Sequence, residues 1–207
     1  MVLYMLSGTE SRILGRLFDD LTRTWTIREM SLDLGMPYPQ AHRSVKLLSR
    51  KGLILKEKKG KSSLIGLNLK SACDDYITVE NRRKEEIKEK YKVINVLEED
   101  LSKVRYNQYI CILFGSYAEK KAKKGSDIDL LFVIPEQFNY AYFERDVKDK
   151  VLLSNADISI TTEKGLLEMW YNPSKLNVGN ELLRKHIILK GAEAFLNLRR
   201  IYHMGDK

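Results

Sequence analysis

Phe114-Gly115-Ser116-Tyr117-Ala118-Glu119-Lys120-Lys121-Ala122-Lys123-Lys124-Gly125-Ser126-Asp127-Ile128-Asp129-Leu130 is the stretch on which the reading of this 207-residue chain turns. It is entered through Tyr109-Ile110-Cys111-Ile112-Leu113-Phe114, an apolar run rich in β-branched and aromatic residues. Gly115-Ser116 stops that run, which predicts a buried strand breaking sharply into a loop or short helix. After a basic segment, Asp127-Ile128-Asp129 opens a second apolar run, Leu130-Leu131-Phe132-Val133-Ile134. Residues i and i+2 of a strand share a face, about 6.6 Å apart. Asp127 and Asp129 are therefore expected to point the same way at the mouth of a buried strand.

Two like charges ~5 Å apart repel by roughly 3 kcal/mol at an effective dielectric of ~20. Either one carboxyl keeps its proton or a divalent cation sits between the two. Oxygen-only donors favour a hard ion such as Mg²⁺, completed by waters and substrate phosphates. Ala156-Asp157-Ile158-Ser159-Ile160 is another short β-like run with a single acid in it. If it lies beside the strand that starts at Asp127, three acids converge as a two-metal phosphoryl displacement requires.

Gly-Ser, ten residues, Asp-Ile-Asp and a later apolar-flanked Asp together resemble the nucleotidyltransferase superfamily typified by DNA polymerase β. The spacing is most similar to its minimal nucleotidyltransferase branch. The resemblance implies that Asp127, Asp129 and Asp157 are the catalytic residues and hold two Mg²⁺ ions, with Asp157 helping to deprotonate the attacking hydroxyl. It also implies that Gly115, Ser116 and Ser126 bind the nucleotide, ATP or another nucleoside triphosphate. Many minimal members carry Ala-Arg-Gly after Gly-Ser-x, whereas this chain has Ala118-Glu119-Lys120, so no arginine role carries over. Lys120, Lys121, Lys123 and Lys124 either attract the triphosphate or an anionic acceptor, or form a solvated loop.

Composition marks a globular chain with no apolar run long enough for a membrane span. The first residues lack a basic start and a small-residue cleavage site, so a cytoplasmic location is expected. Cys73 and Cys111 are the two cysteines, and a structural disulfide is not expected. Charge is uneven: residues 1–70 hold 13 Lys and Arg against 6 Asp and Glu, and residues 71–207 hold 23 against 22. A basic module joined to a near-neutral one points to nucleic acid for the first.

Within residues 1–70, Thr9 is the expected cap of a helix from Glu10 to about Leu21, with Ile13, Leu14, Leu17, Phe18 and Leu21 at helical spacing. Arg28–Leu34 reads as a second helix, and Pro39 starts a third that stops at Gly52. Leu53–Lys56 and Leu64–Leu67 flank a basic tip as a hairpin. Three helices and a hairpin in this order look like a winged helix-turn-helix, whose third helix enters the DNA major groove while the wing touches the backbone. On this resemblance Gln40, Arg43 and Lys46 reach base edges, and Lys56, Lys58, Lys59 and Lys61 meet phosphates. His42 reads as an isolated surface histidine.

Residues 71–105 are charged and free of Gly and Pro, with Ile87, Tyr91, Ile94, Leu97, Leu101 and Val104 forming a narrow apolar seam. They read as one long connecting helix, about 45 Å for ~30 residues, with a coiled-coil homodimer as the alternative. Residues 106–207 make the expected nucleotidyltransferase domain, a short mixed sheet with helices, giving an α+β fold overall. Asn180 to Lys190 reads as a helix, and Trp170, Tyr171 and Tyr202 either belong to the core or form a wall that stacks a base.

The resulting expectation is a Mg²⁺-dependent enzyme moving a nucleoside monophosphate, AMP from ATP, onto a hydroxyl of a protein or RNA acceptor. The minimal branch further implies the antitoxin of a toxin–antitoxin pair, with a toxin protein as the acceptor. The alternative is a DNA-binding transcriptional regulator whose nucleotidyltransferase domain only senses nucleotides.

Overall fold

A computed structural model of the chain describes residues 6–60, 62–71, 74–172 and 177–205. The chain divides into two compact units, Met1–Val79 with Arg199–Lys207, and Glu80–Leu198.

The first unit opens with α1 (Gly8–Phe18), capped by Ser7 and not by Thr9 as expected. Glu10 stands three residues after Ser7, and the two close a capping box: the Ser7 hydroxyl accepts the Glu10 amide at 3.2 Å, and the Ser7 amide donates to the Glu10 carboxylate at 2.8 Å. Thr26 and Glu29 form a second box between β1 (Trp25–Thr26) and α2 (Ile27–Asp33). α3 (Tyr38–Arg50) carries Pro39 in its first turn, where a missing N–H costs nothing, and buries Ala41, Ser44, Val45 and Leu48. Those side chains share a core with Ile13, Leu14, Leu17 and Phe18 of α1 and Met30 of α2. β2 (Ile54–Lys59) and β3 (Ser62–Leu67) form an antiparallel hairpin, and β1 joins β3 to give the order β1-β3-β2.

Next come α4 (Asp74–Lys90) and α5 (Val93–Ser102), so the single long helix expected here is broken at Tyr91-Lys92. Burial explains the break. A straight helix would hold Ile87 and Leu101 about 21 Å apart along its axis, yet both lie in one core with Ile94, Leu97 and Val104. Glu98 of α5 reaches back to Lys84 at 2.9 Å and Lys88 at 2.5 Å of α4. The apolar seam is consumed inside its own unit, which leaves the coiled-coil alternative without a free face.

The second unit is built on four strands, β4 (Ile110–Phe114), β5 (Ile128–Ile134), β6 (Ala156–Thr162) and β7 (Ile187–Lys190), in the order β6-β5-β4-β7. α6 (Gly115–Ala118) follows β4, and α7 (Tyr140–Lys150) makes the crossover that the parallel pair β5–β6 requires. Phe143 and Val147 of α7 pack with Cys111 and Leu113 of β4 and Leu130 and Phe132 of β5, the period-2 residues of one sheet face. After β6 come α8 (Glu163–Tyr171) and α9 (Val178–Arg184), and α10 (Ala192–Gly205) follows β7. Part of the stretch expected as a helix from Asn180 to Lys190 is therefore strand: Ile187-Ile188 are β-branched, and pairing with β4 supplies their backbone partners.

Candidate functional site

β4 ends with Phe114 opposite Asp129 of β5. The next residue, Gly115, turns the chain with φ +63°, in the left-handed region that glycine enters without steric cost. A Cβ there would lie 2.0 Å from Asp129 Oδ2 and 2.9 Å from Asp129 Cγ, so the Gly115 backbone rests directly against that carboxylate. Across the other edge of β5, the parallel register sets Asp129 beside Asp157 of β6, and adjacent strands lie about 4.8 Å apart. Asp127 immediately precedes β5 and is exposed, Asp129 is half-buried, and Asp157 is exposed.

Burial pushes the Asp129 carboxyl above its ordinary value, and the charges of Asp157, Glu181 and Asp127 push it further, in that order. Glu181 did not figure among the sequence candidates, yet it acts on Asp129 more strongly than Asp127 does. It sits on α9, which no motif marks. Its position follows from topology: β7 runs antiparallel to β4 with Ile187 opposite Leu113, so the segment preceding β7 arrives at the end of the sheet where Phe114 and Gly115 lie. The sequence signal for this placement is the short β-branched run Ile187-Ile188 of β7, which lies within the stretch expected as a helix.

Carboxylates crowding one partly buried carboxyl match the oxygen donor set of a hard divalent cation, which would relieve their repulsion. Among the described residues, no three Asp, Glu, His or Cys side chains are drawn together closely enough to hold an ion as they stand. The donors fit a divalent ion by chemistry, and the cage is not preassembled.

Ser116 is half-buried and its carbonyl accepts the Lys121 amide at 2.9 Å. Lys120 donates its amide to the Tyr117 carbonyl at 3.0 Å and has φ +61°. This pair of bonds around a left-handed residue is a Schellman ending, with lysine in the place glycine usually takes. Ser126 faces inward on the same loop: its hydroxyl accepts the Lys123 amide at 2.9 Å, and its carbonyl accepts Asn155 Nδ2 at 2.8 Å. In this arrangement Ser126 braces the loop. Trp170 is fully buried, donates Nε1–H to the Gly179 carbonyl at 3.0 Å and meets Phe195 edge-on, so it is core and offers no stacking wall.

In the first unit, Arg43 and Lys46 are exposed on α3, and Lys56, Lys58 and Lys59 are exposed on β2. Gln40 is exposed too, but its side-chain amide donates to Thr9 Oγ1 at 2.8 Å, which ties it to α1. Lys61 lies outside the described residues. A cavity of about 700 Å³ gathers Arg28 of α2, Tyr38 and His42 of α3 and Lys56 of β2, with no acidic residue in its lining. His42 thus has basic company that sequence spacing did not reveal, and Arg28 is a cation passed over. None of that cavity's lining belongs to the acidic group.

Residues 110–182 match the family model described as a nucleotidyltransferase domain, which supports the nucleotidyltransferase superfamily for this part of the chain. The match takes in Gly115, Ser116, Asp127, Asp129, Asp157 and Glu181. Neither the curated proteins nor the solved structures give a match to this chain. Among the described residues, no helix is long and apolar enough to cross a membrane.

Proposed function

We propose that the second unit transfers a nucleoside monophosphate, AMP from ATP in our reading, to a hydroxyl of a protein or RNA acceptor. The observation that carries this is Asp129, held between the Gly115 turn and Asp157 of the neighbouring parallel strand, in a segment that matches a nucleotidyltransferase domain. In the reaction the acceptor oxygen bonds to the α-phosphorus, the bond from that phosphorus to the bridging oxygen breaks, and pyrophosphate leaves. Asp157, the more exposed member of the strand pair, receives the acceptor's proton. Asp127, Asp129 and Asp157 would hold the divalent ions, which supply Lewis-acid stabilisation of the phosphoryl oxygens. Gly115 lets the backbone approach the phosphates closely, and the Ser116 hydroxyl, which makes no hydrogen bond among the described residues, is available to them. With little covalent chemistry for the protein to do, positioning and charge neutralisation carry the catalysis.

We read the first unit as a winged helix-turn-helix that binds DNA. The exposed cations Arg43, Lys46, Lys56, Lys58 and Lys59, none of them in an ion pair among the described residues, support that reading, as does the charge of residues 1–70. The same cations favour the second reading, a transcriptional regulator whose nucleotidyltransferase unit senses nucleotides without turnover. An antitoxin that adenylylates a partner toxin is the specific case of the first reading.

The deciding experiment incubates the full chain with α-labelled ATP, Mg²⁺ and a lysate or candidate toxin, following label transfer and pyrophosphate release. Transfer by the wild type and none by Asp129→Asn, with an unchanged circular dichroism spectrum, is the expected result. Equal turnover by both proteins would overturn the assigned chemistry, and binding of ATP without any turnover would select the sensor.

A further inference from the structure

The loop between α6 and β5 carries Lys120, Lys121, Lys123 and Lys124, and the structure separates them into two kinds. Lys120 Nζ pairs with Glu86 at 3.3 Å, and its carbonyl accepts Lys90 Nζ at 2.7 Å. Lys121 Nζ pairs with Glu119 at 2.7 Å. Lys123 and Lys124 are exposed and have no ion-pair partner among the described residues. Their position is nonetheless fixed. Lys121 N–H donates to the Ser116 carbonyl, folding the loop back on the Gly-Ser turn. Lys123 is tied through its amide to the Ser126 hydroxyl at 2.9 Å and through its carbonyl to the Ser126 amide at 3.0 Å. Asn155, just before β6, clamps the Ser126 carbonyl and accepts the Ile128 amide at 2.8 Å. Two cations are thus carried on a braced turn one residue-pair before Asp127, at the rim of an end of the sheet that otherwise collects carboxylates.

Exposed cations on a braced turn beside a group of carboxylates suit an anionic ligand. A triphosphate approaching the sheet end that carries Asp127, Asp129, Asp157 and Glu181 meets several carboxylates, and cations at the rim would offset part of that repulsion for the portion of the ligand farthest from the reacting phosphorus. Resting on the nucleotidyl-transfer reading, we propose that Lys123 and Lys124 bind the β- and γ-phosphates of the nucleoside triphosphate, the portion that leaves as pyrophosphate. They would then select triphosphates over monophosphates and add nothing to recognition of the base or sugar.

The test measures binding to the full chain by titration calorimetry in Mg²⁺, with ATP, AMP and inorganic tripolyphosphate as probes. Tripolyphosphate removes any dependence on which base the site prefers. Lys123→Ala/Lys124→Ala is expected to weaken ATP and tripolyphosphate by about tenfold or more, which is about 1.4 kcal/mol or more. AMP should change by less than about twofold, and the salt dependence of ATP binding should flatten. Lys164→Ala, which removes a lysine at the opposite end of β6, serves as the control and is expected to leave all three unchanged. Unaltered ATP affinity in the double variant, or an equal loss for ATP and AMP, overturns the assignment. So does a variant that keeps ATP affinity and loses affinity for an RNA oligonucleotide, because the lysines would then serve an acceptor's phosphates. Wild-type protein that binds neither ATP nor tripolyphosphate fails the nucleotide reading itself, and the assignment with it.

Discussion

Gly115→Ala tests two separate costs at one position. The first is conformational: at φ +63° an alanine pays roughly 1–2 kcal/mol for the left-handed backbone. The second is steric, because the new Cβ would sit 2.0 Å from Asp129 Oδ2 and 2.9 Å from Asp129 Cγ. Contacts this short cannot persist, so the Asp129 side chain must leave its position or the turn must open, at about 1–3 kcal/mol for an overpacked site. Together the loss should reach about 2–5 kcal/mol in denaturant melts of the wild-type background. In an Asp129→Ala background the colliding atoms are gone, and the same substitution should cost only the backbone part, about 1–2 kcal/mol. Label transfer from ATP should fall at least a hundredfold in Gly115→Ala, since a displacement of about 1 Å at a reacting group already costs that much. An equal stability cost in both backgrounds would refute the idea that this glycine exists to admit the Asp129 carboxylate. Full turnover in the single variant would refute its place in the site.

Lys120→Gly should stabilise the protein by about 1 kcal/mol, because glycine adopts φ +61° freely and the exposed pair with Glu86 contributes little; a lower denaturation midpoint would contradict this. Asp129→Asn should make the cation-free protein more stable at neutral pH. A carboxyl raised in the fold, here by burial and then by Asp157, Glu181 and Asp127, contributes stability that is full below its unfolded value and is lost as pH rises through the folded one. Urea melts from acid to neutral pH should show that slope in the wild type and not in the variant, and identical slopes would sink the argument. Glu80 and Arg83 are buried together: Arg83 Nη1 donates to both Glu80 carboxylate oxygens at 2.7 and 2.8 Å, and Nη2 donates to the His186 carbonyl at 2.7 Å. Arg83→Met should therefore cost about 3–5 kcal/mol, and adding Glu80→Leu should recover much of it; no recovery would mean that the carbonyl contact matters more than the ion pair. If the first unit binds duplex DNA, Arg43→Ala should lower the salt slope by about 1, and an unchanged slope would remove that residue from the interface.

Much of the architecture was written in local chemistry. β4 and β5 follow from apolar runs bounded by Gly115-Ser116 and by Asp127, and period-2 alternation is what led Asp127 and Asp129 to be expected on one face, although β5 begins only at Ile128. The cap of α1 is Ser7 and not Thr9, and the reciprocal box between Ser7 and Glu10, three residues apart, is the local signal that distinguishes them. The single helix read across α4 and α5 failed for another reason: helical periodicity records which residues want burial, not that Ile87 and Leu101 must be buried in the same place.

What the chain by itself determined is the donor chemistry: acids at strand mouths, a glycine where the backbone must turn, and cations gathered in the first 70 residues. Those depend on residue type and short spacing, which propensity and hydrogen-bonding rules act on directly. Only the tertiary structure decided that Asp157 stands beside Asp129 and that Gly115 packs against its carboxylate. It likewise decided that Glu181 lies near enough to act on Asp129, and that of the four lysines in the loop before β5 only Lys120 and Lys121 find ion-pair partners among the described residues. Each of these is set by which strand adds to which edge and in what register, and that choice is made by burial between segments tens of residues apart, where no local pattern reaches.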